Sequence, residues 1–105
     1  MSNFVSVAKV SDFDNQSAKC VEVGGGKTIA LFKLGDEFFA IDDTCTHEGG
    51  PLSEGSIEDD EIECPWHGAH FNIRTGKVTL DPAEDDISIY NIRLSGDVIE
   101  IDIAE

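Results

Sequence analysis

The sequence has few positive charges, with 7 Lys and Arg against 22 Asp and Glu in 105 residues and a formal net charge of −15. This balance argues against a nucleic-acid partner, because nucleic-acid phosphates would be repelled. The sequence also lacks an apolar run near the roughly 20 residues that a membrane-spanning helix needs. Its N-terminus shows no basic stretch followed by an apolar one, the pattern of a signal peptide. We therefore expect a cytoplasmic protein with no membrane partner.

Cysteine is scarce as well, and three cysteines in an intracellular chain argue against a disulfide framework. Cys20 lies in a strand-like alternation and is predicted to be a small buried residue. The other two cysteines are each followed closely by a histidine, in Cys45-Thr-His47 and in Cys64-Pro-Trp-His67. These two Cys-His pairs supply four candidate ligands for one metal site.

No segment of helical length shows the 3.6-residue period, apart from a single turn predicted at 10–13 with Ser11 as its N-cap. Short alternating or β-branched runs predict strands at 4–7, 19–23, 28–34, 37–41, 62–64, 71–73, 87–94 and 98–103. The apolar phase slips within 87–94, for which a bulge or a strong twist would account. The sequence thus predicts one all-β, mostly antiparallel domain, with the two Cys-His pairs inserted between sets of strands.

Two thiolates and two imidazoles also suit a structural zinc ion. Zinc fingers usually keep both cysteines in one loop and both histidines in the other, whereas each predicted loop here carries one of each. A third histidine, His70, could be read as a further ligand, but we expect it to face solvent or to be hydrogen-bonded.

Cys45-Thr-His47 followed by Cys64-Pro-Trp-His67-Gly68 resembles the signature of Rieske proteins, and the likeness covers nearly the whole chain. The resemblance implies one [2Fe–2S] cluster, with Cys45 and Cys64 on one iron and His47 and His67 on the other. It also implies an antiparallel β-sandwich or barrel of the Rieske type over 1–105. Its basal part would be about 1–43 and 80–105, and its inserted cluster-binding part about 44–79.

Two departures from the Rieske proteins of respiratory complexes indicate a different branch of the family. The cysteines that form a bracing disulfide in that branch are replaced here by Gly50 and Trp66. The Ser and Tyr that donate hydrogen bonds to the cluster sulfurs are replaced by Ala69 and Phe71, which have no hydroxyl. These traits resemble the soluble Rieske-type ferredoxins of aromatic-ring-hydroxylating dioxygenases.

That resemblance implies an electron carrier rather than an enzyme, because the chain ends soon after the last predicted strand. It would take one electron from a flavin-dependent NAD(P)H reductase and pass it to the terminal oxygenase, docking near His47 and His67. We expect an apolar rim there, formed by Pro51, Leu52, Trp66 and Pro82. The alternatives are a Rieske-like small subunit of an assimilatory nitrite reductase and, less favoured, a structural zinc-binding module.

The charge is unevenly distributed along the chain. Between Lys33 and Arg74 there is no Lys or Arg, while that stretch contains eleven Asp and Glu. Either of the acidic runs at 58–61 and 84–86 alone is expected to be a solvated loop. Their summed field predicts steering toward a basic partner.

We predict a midpoint potential at the low end of the roughly −150 to +300 mV range of Rieske centres. Both the missing hydroxyl donors and the surrounding carboxylates disfavour the more negative, reduced cluster. Protein-film voltammetry measures this potential, and a midpoint well above zero would contradict the prediction.

Overall fold

The computed structural model describes residues 3–23, 27–43, 51–65, 68–80 and 86–103. Eleven strands lie within these ranges: β1 (Phe4–Lys9), β2 (Ala18–Val23), β3 (Lys27–Leu34), β4 (Glu37–Asp42), β5 (Ser56–Glu58), β6 (Glu61–Glu63), β7 (His70–Asn72), β8 (Val78–Leu80), β9 (Ile89–Tyr90), β10 (Ile92–Ser95) and β11 (Val98–Asp102). Two 3₁₀ turns accompany them, at Val10–Phe13 and Leu52–Glu54. The described residues form no α-helix, and no helix among them could cross a membrane.

The strands form three antiparallel sheets. The first has the order β1-β11-β10, the second β2-β3-β4-β9 and the third β5-β6-β7-β8. All strand pairs in these sheets are antiparallel. The all-β, antiparallel prediction is confirmed.

The second sheet lies between two hydrophobic cores, and β3 is buried on both faces. Successive side chains of a strand point to opposite faces. Accordingly, Ile29 and Leu31 belong to one core while Ala30 and Phe32 belong to the other, and all four are fully buried. A strand buried on both sides reads as an unbroken apolar run, which explains why this segment lacks polar alternation.

Each core lies between the second sheet and one of the other two sheets. The basal core joins the second sheet to the first and comprises Phe13, Val21, Ile29, Leu31, Phe38, Ala40, Ile99 and Ile101. The site-side core joins the second sheet to the third and comprises Ala30, Phe32, Ile41, Leu52, Ile62, Cys64, Ala69, Phe71, Ile73 and Ile87. One candidate ligand, Cys64, is thus part of the hydrophobic core.

Three details of the predicted secondary structure were wrong. The single strand predicted at 87–94 is two strands in different sheets, since β9 pairs with β4 and β10 pairs with β11. The phase slip therefore marks a change of sheet at Asn91 rather than a bulge. The strands β5 and β8 were missed because each has only three residues. The predicted turn at 10–13 exists, but its N-cap is Lys9, whose backbone N–H is bound by Asp12.

Gly76 closes the connection between β7 and β8 in a position that admits no side chain. Its φ is +78°, and a Cβ there would lie 2.3 Å from the carbonyl oxygen of Ile87. That close approach is enforced by a hydrogen bond from the Ile87 N–H to the Gly76 carbonyl, 2.7 Å long. The contact ties the third sheet to the segment that enters β9.

We predict that Gly76→Ala destabilises the protein by about 3 kcal/mol or more, because it adds a backbone clash to the left-handed strain. Gly35→Ala is the matched control: its φ is +62°, but nothing lies within 4 Å of its Cβ position. The control should lose only about 1 kcal/mol. Chemical denaturation followed by circular dichroism measures both values, and equal losses would contradict the account.

Candidate functional site

Of the four predicted ligands, only Cys64 lies within the described residues. Cys45, His47 and His67 fall outside them, as do Trp66 and Pro82 of the predicted rim. Accordingly, the part of the chain that the structure describes contains no group of three or more His, Cys, Asp or Glu side chains that could hold a metal. What the structure shows is the frame around the ligands.

Cys64 directly follows β6 and begins a tight connection to β7. Its backbone N–H donates a 2.7 Å hydrogen bond to the carbonyl of Ala69, which closes the connection. Gly68 within it has a φ of +75°, a left-handed conformation that glycine adopts without strain. The cysteine is therefore held at a fixed place at the end of a paired strand.

Cys64 is buried among apolar side chains. The residue is 1% exposed and belongs to the same core as Leu52, Ile62, Ala69 and Phe71, each of which is fully buried. A thiolate in such surroundings needs a compensating charge, and coordination to a metal supplies one. Thiolate and imidazole are also the ligand types that iron–sulfur centres of the mixed kind use. The donor set and its apolar setting therefore fit a [2Fe–2S] cluster.

The chain on either side of the first Cys-His pair is tied together by Asp43. Its carbonyl accepts the Leu52 N–H at 2.6 Å, and its Oδ1 accepts the Ser53 N–H at 2.7 Å. Asp43 is 5% exposed, and it is the one buried charged residue among those described. The two ends of the 44–50 span are thus held side by side.

The two Cys-His regions share one frame. Beyond the 3₁₀ turn Leu52–Glu54, the chain enters β5, where Ser56 pairs with Glu63 of β6. Glu63 is the residue before Cys64, and Leu52 packs in the same core as Cys64. The exit from the first ligand region therefore runs directly alongside the second ligand region.

Leu52 does not belong to an exposed rim, so that part of the rim prediction was wrong. It is fully buried, because the 3₁₀ turn directs it into the core that contains Ile62 and Phe71. Pro51 is half-buried. The sequence showed only an apolar residue beside a turn-rich segment, which does not distinguish a core residue from a rim residue.

The prediction that Cys20 is buried was also wrong, since the residue is exposed. The reason is that β2 lies at an edge of the second sheet, so the face that carries Cys20 is incompletely covered. Its Sγ lies 3.4 Å from Oδ2 of Asp43. Desolvation of the thiol, together with this carboxylate, raises the pKa of Cys20 and keeps the thiol protonated as a donor.

His70 is hydrogen-bonded, as expected, and it bridges two carboxylates of the neighbouring strand. Its Nδ1 lies 3.0 Å from Oε1 of Glu61, and its Nε2 lies 3.3 Å from Oε2 of Glu63. The bond to Glu61 is the main cause that raises the pKa of His70, with Glu63 adding to it against partial desolvation. The two carboxylates therefore favour the protonated form of the His70 ring, which lies between them.

Arg74 forms ion pairs with two further carboxylates, which the sequence did not predict. Its guanidinium lies 3.1 Å from Oε1 of Glu37 and 3.2 Å from Oδ2 of Asp60, and it stacks 4.8 Å above the Phe39 ring. These contacts join the β3–β4 hairpin to the β5–β6 turn. Of the acidic run at 58–61, Asp60 and Glu61 are thus paired with basic side chains, which corrects the expectation of a merely solvated loop.

We predict that His70→Gln lowers the thermal midpoint more at pH 6 than at pH 9. The folded-state pKa of His70 is raised above its unfolded value of about 6.5. The stabilisation is therefore fully present below that value and is lost as the pH rises through the folded-state pKa. Calorimetry across this range measures the difference between the two proteins.

Glu61→Gln is the control for this effect, because it removes the first partner of the His70 ring and should flatten the pH dependence. A destabilisation by His70→Gln that is the same at every pH would show that the charge of His70 contributes nothing.

Comparisons with known proteins agree with this site. A family model of the Rieske [2Fe-2S] domain matches residues 3–91. The chain is 41% identical over 93 residues to the 3-phenylpropionate/cinnamic acid dioxygenase ferredoxin subunit of Shigella flexneri serotype 5b (strain 8401), covering 88% of each chain.

Solved structures show the same relationship. A chain in a complex of reduced oxygenase and oxidized ferredoxin in carbazole 1,9a-dioxygenase superposes with a TM-score of 0.88 at 31% identity, covering 94% of this chain and 92% of the other. The Sphingomonas yanoikuyae B1 ferredoxin gives 0.90 at 26% identity, covering 97% and 100%. A chain from Mycobacterium tuberculosis assigned to an NADH-dependent nitrite reductase small subunit gives 0.87 at 18% identity, covering 100% and 98%, which shows a shared fold alone.

The matched family model covers most of the chain, and the buried cysteine, its apolar setting and the closed frame all fit the cofactor that the family carries. The chain therefore belongs to the Rieske [2Fe-2S] family, and its cofactor is a [2Fe–2S] cluster.

Proposed function

We propose that this protein is the ferredoxin component of an aromatic-ring-hydroxylating dioxygenase, an electron carrier that passes single electrons to the terminal oxygenase. The observation that carries the proposal is the 41% identity, over 88% of both chains, to a dioxygenase ferredoxin subunit. A structural neighbour that forms a complex with an oxygenase supports the same partner. In this role the protein is not itself an enzyme.

We assign the cluster ligands as predicted, with Cys45 and Cys64 on one iron and His47 and His67 on the other. When bound, the cluster supplies a one-electron couple. The buried position of Cys64 directly after β6 supports its assignment, because burial disfavours an uncoordinated thiolate and coordination to iron would compensate its charge. The remaining three assignments rest on their order and spacing in the sequence.

We also propose the division of the chain into a basal part, about 1–43 and 80–105, and a cluster-binding part, about 44–79. The third sheet supports this division, since its four strands all fall between Ser56 and Leu80. Its core is nevertheless shared with the second sheet through Phe32 and Ile41. The two parts are therefore expected to fold as one unit.

The electron donor in this proposal is a flavoprotein reductase, and both partners dock near His47 and His67 in the cytoplasm. The acidic stretch between Lys33 and Arg74 supports steering toward a basic partner surface. Glu58 and Asp59, at the β5–β6 turn, are exposed and can contribute to that field. The favoured surface on the partner is thus a basic one.

The two alternatives are less well supported. The likeness to the nitrite reductase small subunit is one of fold, at 18% identity, whereas the dioxygenase ferredoxin relatives reach 41%. A zinc-binding module would use the same four ligand types, but the family matched over residues 3–91 is defined by its [2Fe–2S] centre.

We predict that the reduced protein transfers one electron per chain to an oxidised dioxygenase terminal oxygenase, and that the rate falls as ionic strength rises. At 0.1 M ionic strength, interactions between exposed charges more than about 10 Å apart are largely screened. Added salt therefore weakens long-range steering before it weakens short-range contacts. Stopped-flow absorbance, with the dithionite-reduced protein mixed against oxidised oxygenase at several salt concentrations, measures both the stoichiometry and the salt dependence.

A double variant, Glu58→Gln with Asp59→Asn, should slow the reaction at low salt and reduce its salt dependence. The double variant Asp14→Asn with Asp97→Asn removes the same charge from exposed turns beside the first sheet and serves as the control. Absence of electron transfer to the oxygenase would reject the function, while transfer at a salt-independent rate would reject the steering.

A further inference from the structure

The ends of the 44–50 span, which contains Cys45 and His47 in sequence, are joined through one residue, Asp43. Asp43 is bound on all sides: its N–H donates to the Thr28 carbonyl at 3.2 Å, its own carbonyl accepts from Leu52, and its Oδ1 accepts from Ser53. The fourth contact places Oδ2 3.4 Å from Sγ of Cys20. The buried carboxylate thus accepts from two donors, one on each oxygen, while the backbone of Asp43 makes the other two bonds.

The bonds of Asp43 connect the paired strands β2 and β3 to the 3₁₀ turn that follows the span. Thr28 belongs to β3, Cys20 to the edge strand β2, and Leu52 and Ser53 to the 3₁₀ turn that follows the span. The Asp43 carbonyl and side chain together therefore fix the separation between the end of β4 and the start of that turn. A cluster ligand must be held within a few tenths of an ångström of its productive position, which requires such second contacts.

We propose that Asp43 is a positioning residue for the [2Fe–2S] cluster, acting through its hydrogen bond to the Ser53 N–H. This inference rests on the proposed ligand assignment of Cys45 and His47. The Asp43 backbone carbonyl joins the two sides of the span through Leu52, and the side chain adds the bond to the Ser53 N–H. The role is carried by the acceptor oxygen of that second bond rather than by the negative charge. Cys20 contributes by orienting the second oxygen.

The test compares two replacements of Asp43 in the cluster-loaded protein. Asp43→Asn keeps an acceptor oxygen of the same size for Ser53 and removes the charge, whereas Asp43→Ala removes both. Only Asp43→Ala leaves the Ser53 N–H without its acceptor. We therefore expect Asp43→Ala to lose its visible cluster absorption to an iron chelator about tenfold faster than the wild type, and Asp43→Asn to stay within about twofold.

Asp42 offers the matched control on the neighbouring position. Its carboxylate accepts from the Tyr90 hydroxyl and lies 3.8 Å from Nζ of Lys27, so it is bound to the basal part of the chain. Asp42→Ala and Asp42→Asn remove the same groups one residue further from Cys45 and should both stay within about twofold of the wild type. Equal rates of cluster loss for Asp43→Ala and Asp42→Ala would overturn the proposal.

If Asp43→Ala does not fold, the cluster lifetime of Asp43→Asn is compared with that of Asp42→Asn. Matching lifetimes support the acceptor role, and a tenfold faster loss in Asp43→Asn overturns it. The electron paramagnetic resonance spectrum of the reduced cluster supplies a readout that general destabilisation does not move. Its g-values should shift in Asp43→Ala and remain at the wild-type values in Asp43→Asn. Unchanged g-values in both would count against positioning.

Hydrogen exchange keeps the inference separate from the proposed function. A wild-type protein that binds no cluster would reject the function before any variant is compared. The backbone amide of Ser53, whose acceptor is the Asp43 side chain, still reports on that side chain in that case, by mass spectrometry of peptides covering it. It should exchange faster in Asp43→Ala than in Asp42→Ala; equal exchange would show that the side-chain hydrogen bond does not hold the turn.

Discussion

The structure depends on the burial of β3 on both of its faces. Ile29 and Leu31 complete the basal core, while Ala30 and Phe32 complete the core that contains Cys64. Because adjacent residues of one strand serve opposite cores, neither core can shift without moving the other. The region that contains the proposed ligands is therefore packed on the second sheet, through the same strand that organises the basal fold.

Hydrogen bonds at strand ends convert that packing into a fixed geometry for the site. The N–H of Cys64 is bound by Ala69 across one connection, and Asp43 binds Leu52 and Ser53 across the other. In both places the chain leaves a strand and is tied again a few residues later. Hydrophobic burial is non-directional and supplies most of the stability. These directional bonds fix the position of the chain next to the proposed ligands.

The acidic character of the chain is partly balanced where the site is built. His70 bridges Glu61 and Glu63, and Arg74 joins Glu37 to Asp60. Like charges packed along a short hairpin would otherwise repel one another. Four carboxylates of this region are therefore held by a basic side chain, while Glu58 and Asp59 face solvent.

The sequence predicted what depends on local pattern. Two Cys-His pairs of fixed order indicated the family, and alternating residues indicated most strands. It did not predict what depends on tertiary neighbours. An apolar Leu52 beside a turn is compatible with core or rim, and only the packing of the 3₁₀ turn decides. Cys20 has a strand pattern around it, but its exposure follows from β2 lying at a sheet edge. The contacts of Arg74 join residues 37 positions apart, beyond any local pattern.

The central claim is that two histidines and two cysteines hold one [2Fe–2S] cluster. Electron–nuclear double resonance on the dithionite-reduced protein tests it most directly, because nitrogen ligands couple to the electron spin on the iron they bind. We expect strong couplings to two nitrogens. When the histidines are uniformly labelled with nitrogen-15, the nitrogen-14 couplings should disappear and the corresponding nitrogen-15 couplings should take their place. A reduced cluster with no strongly coupled nitrogen would contradict it.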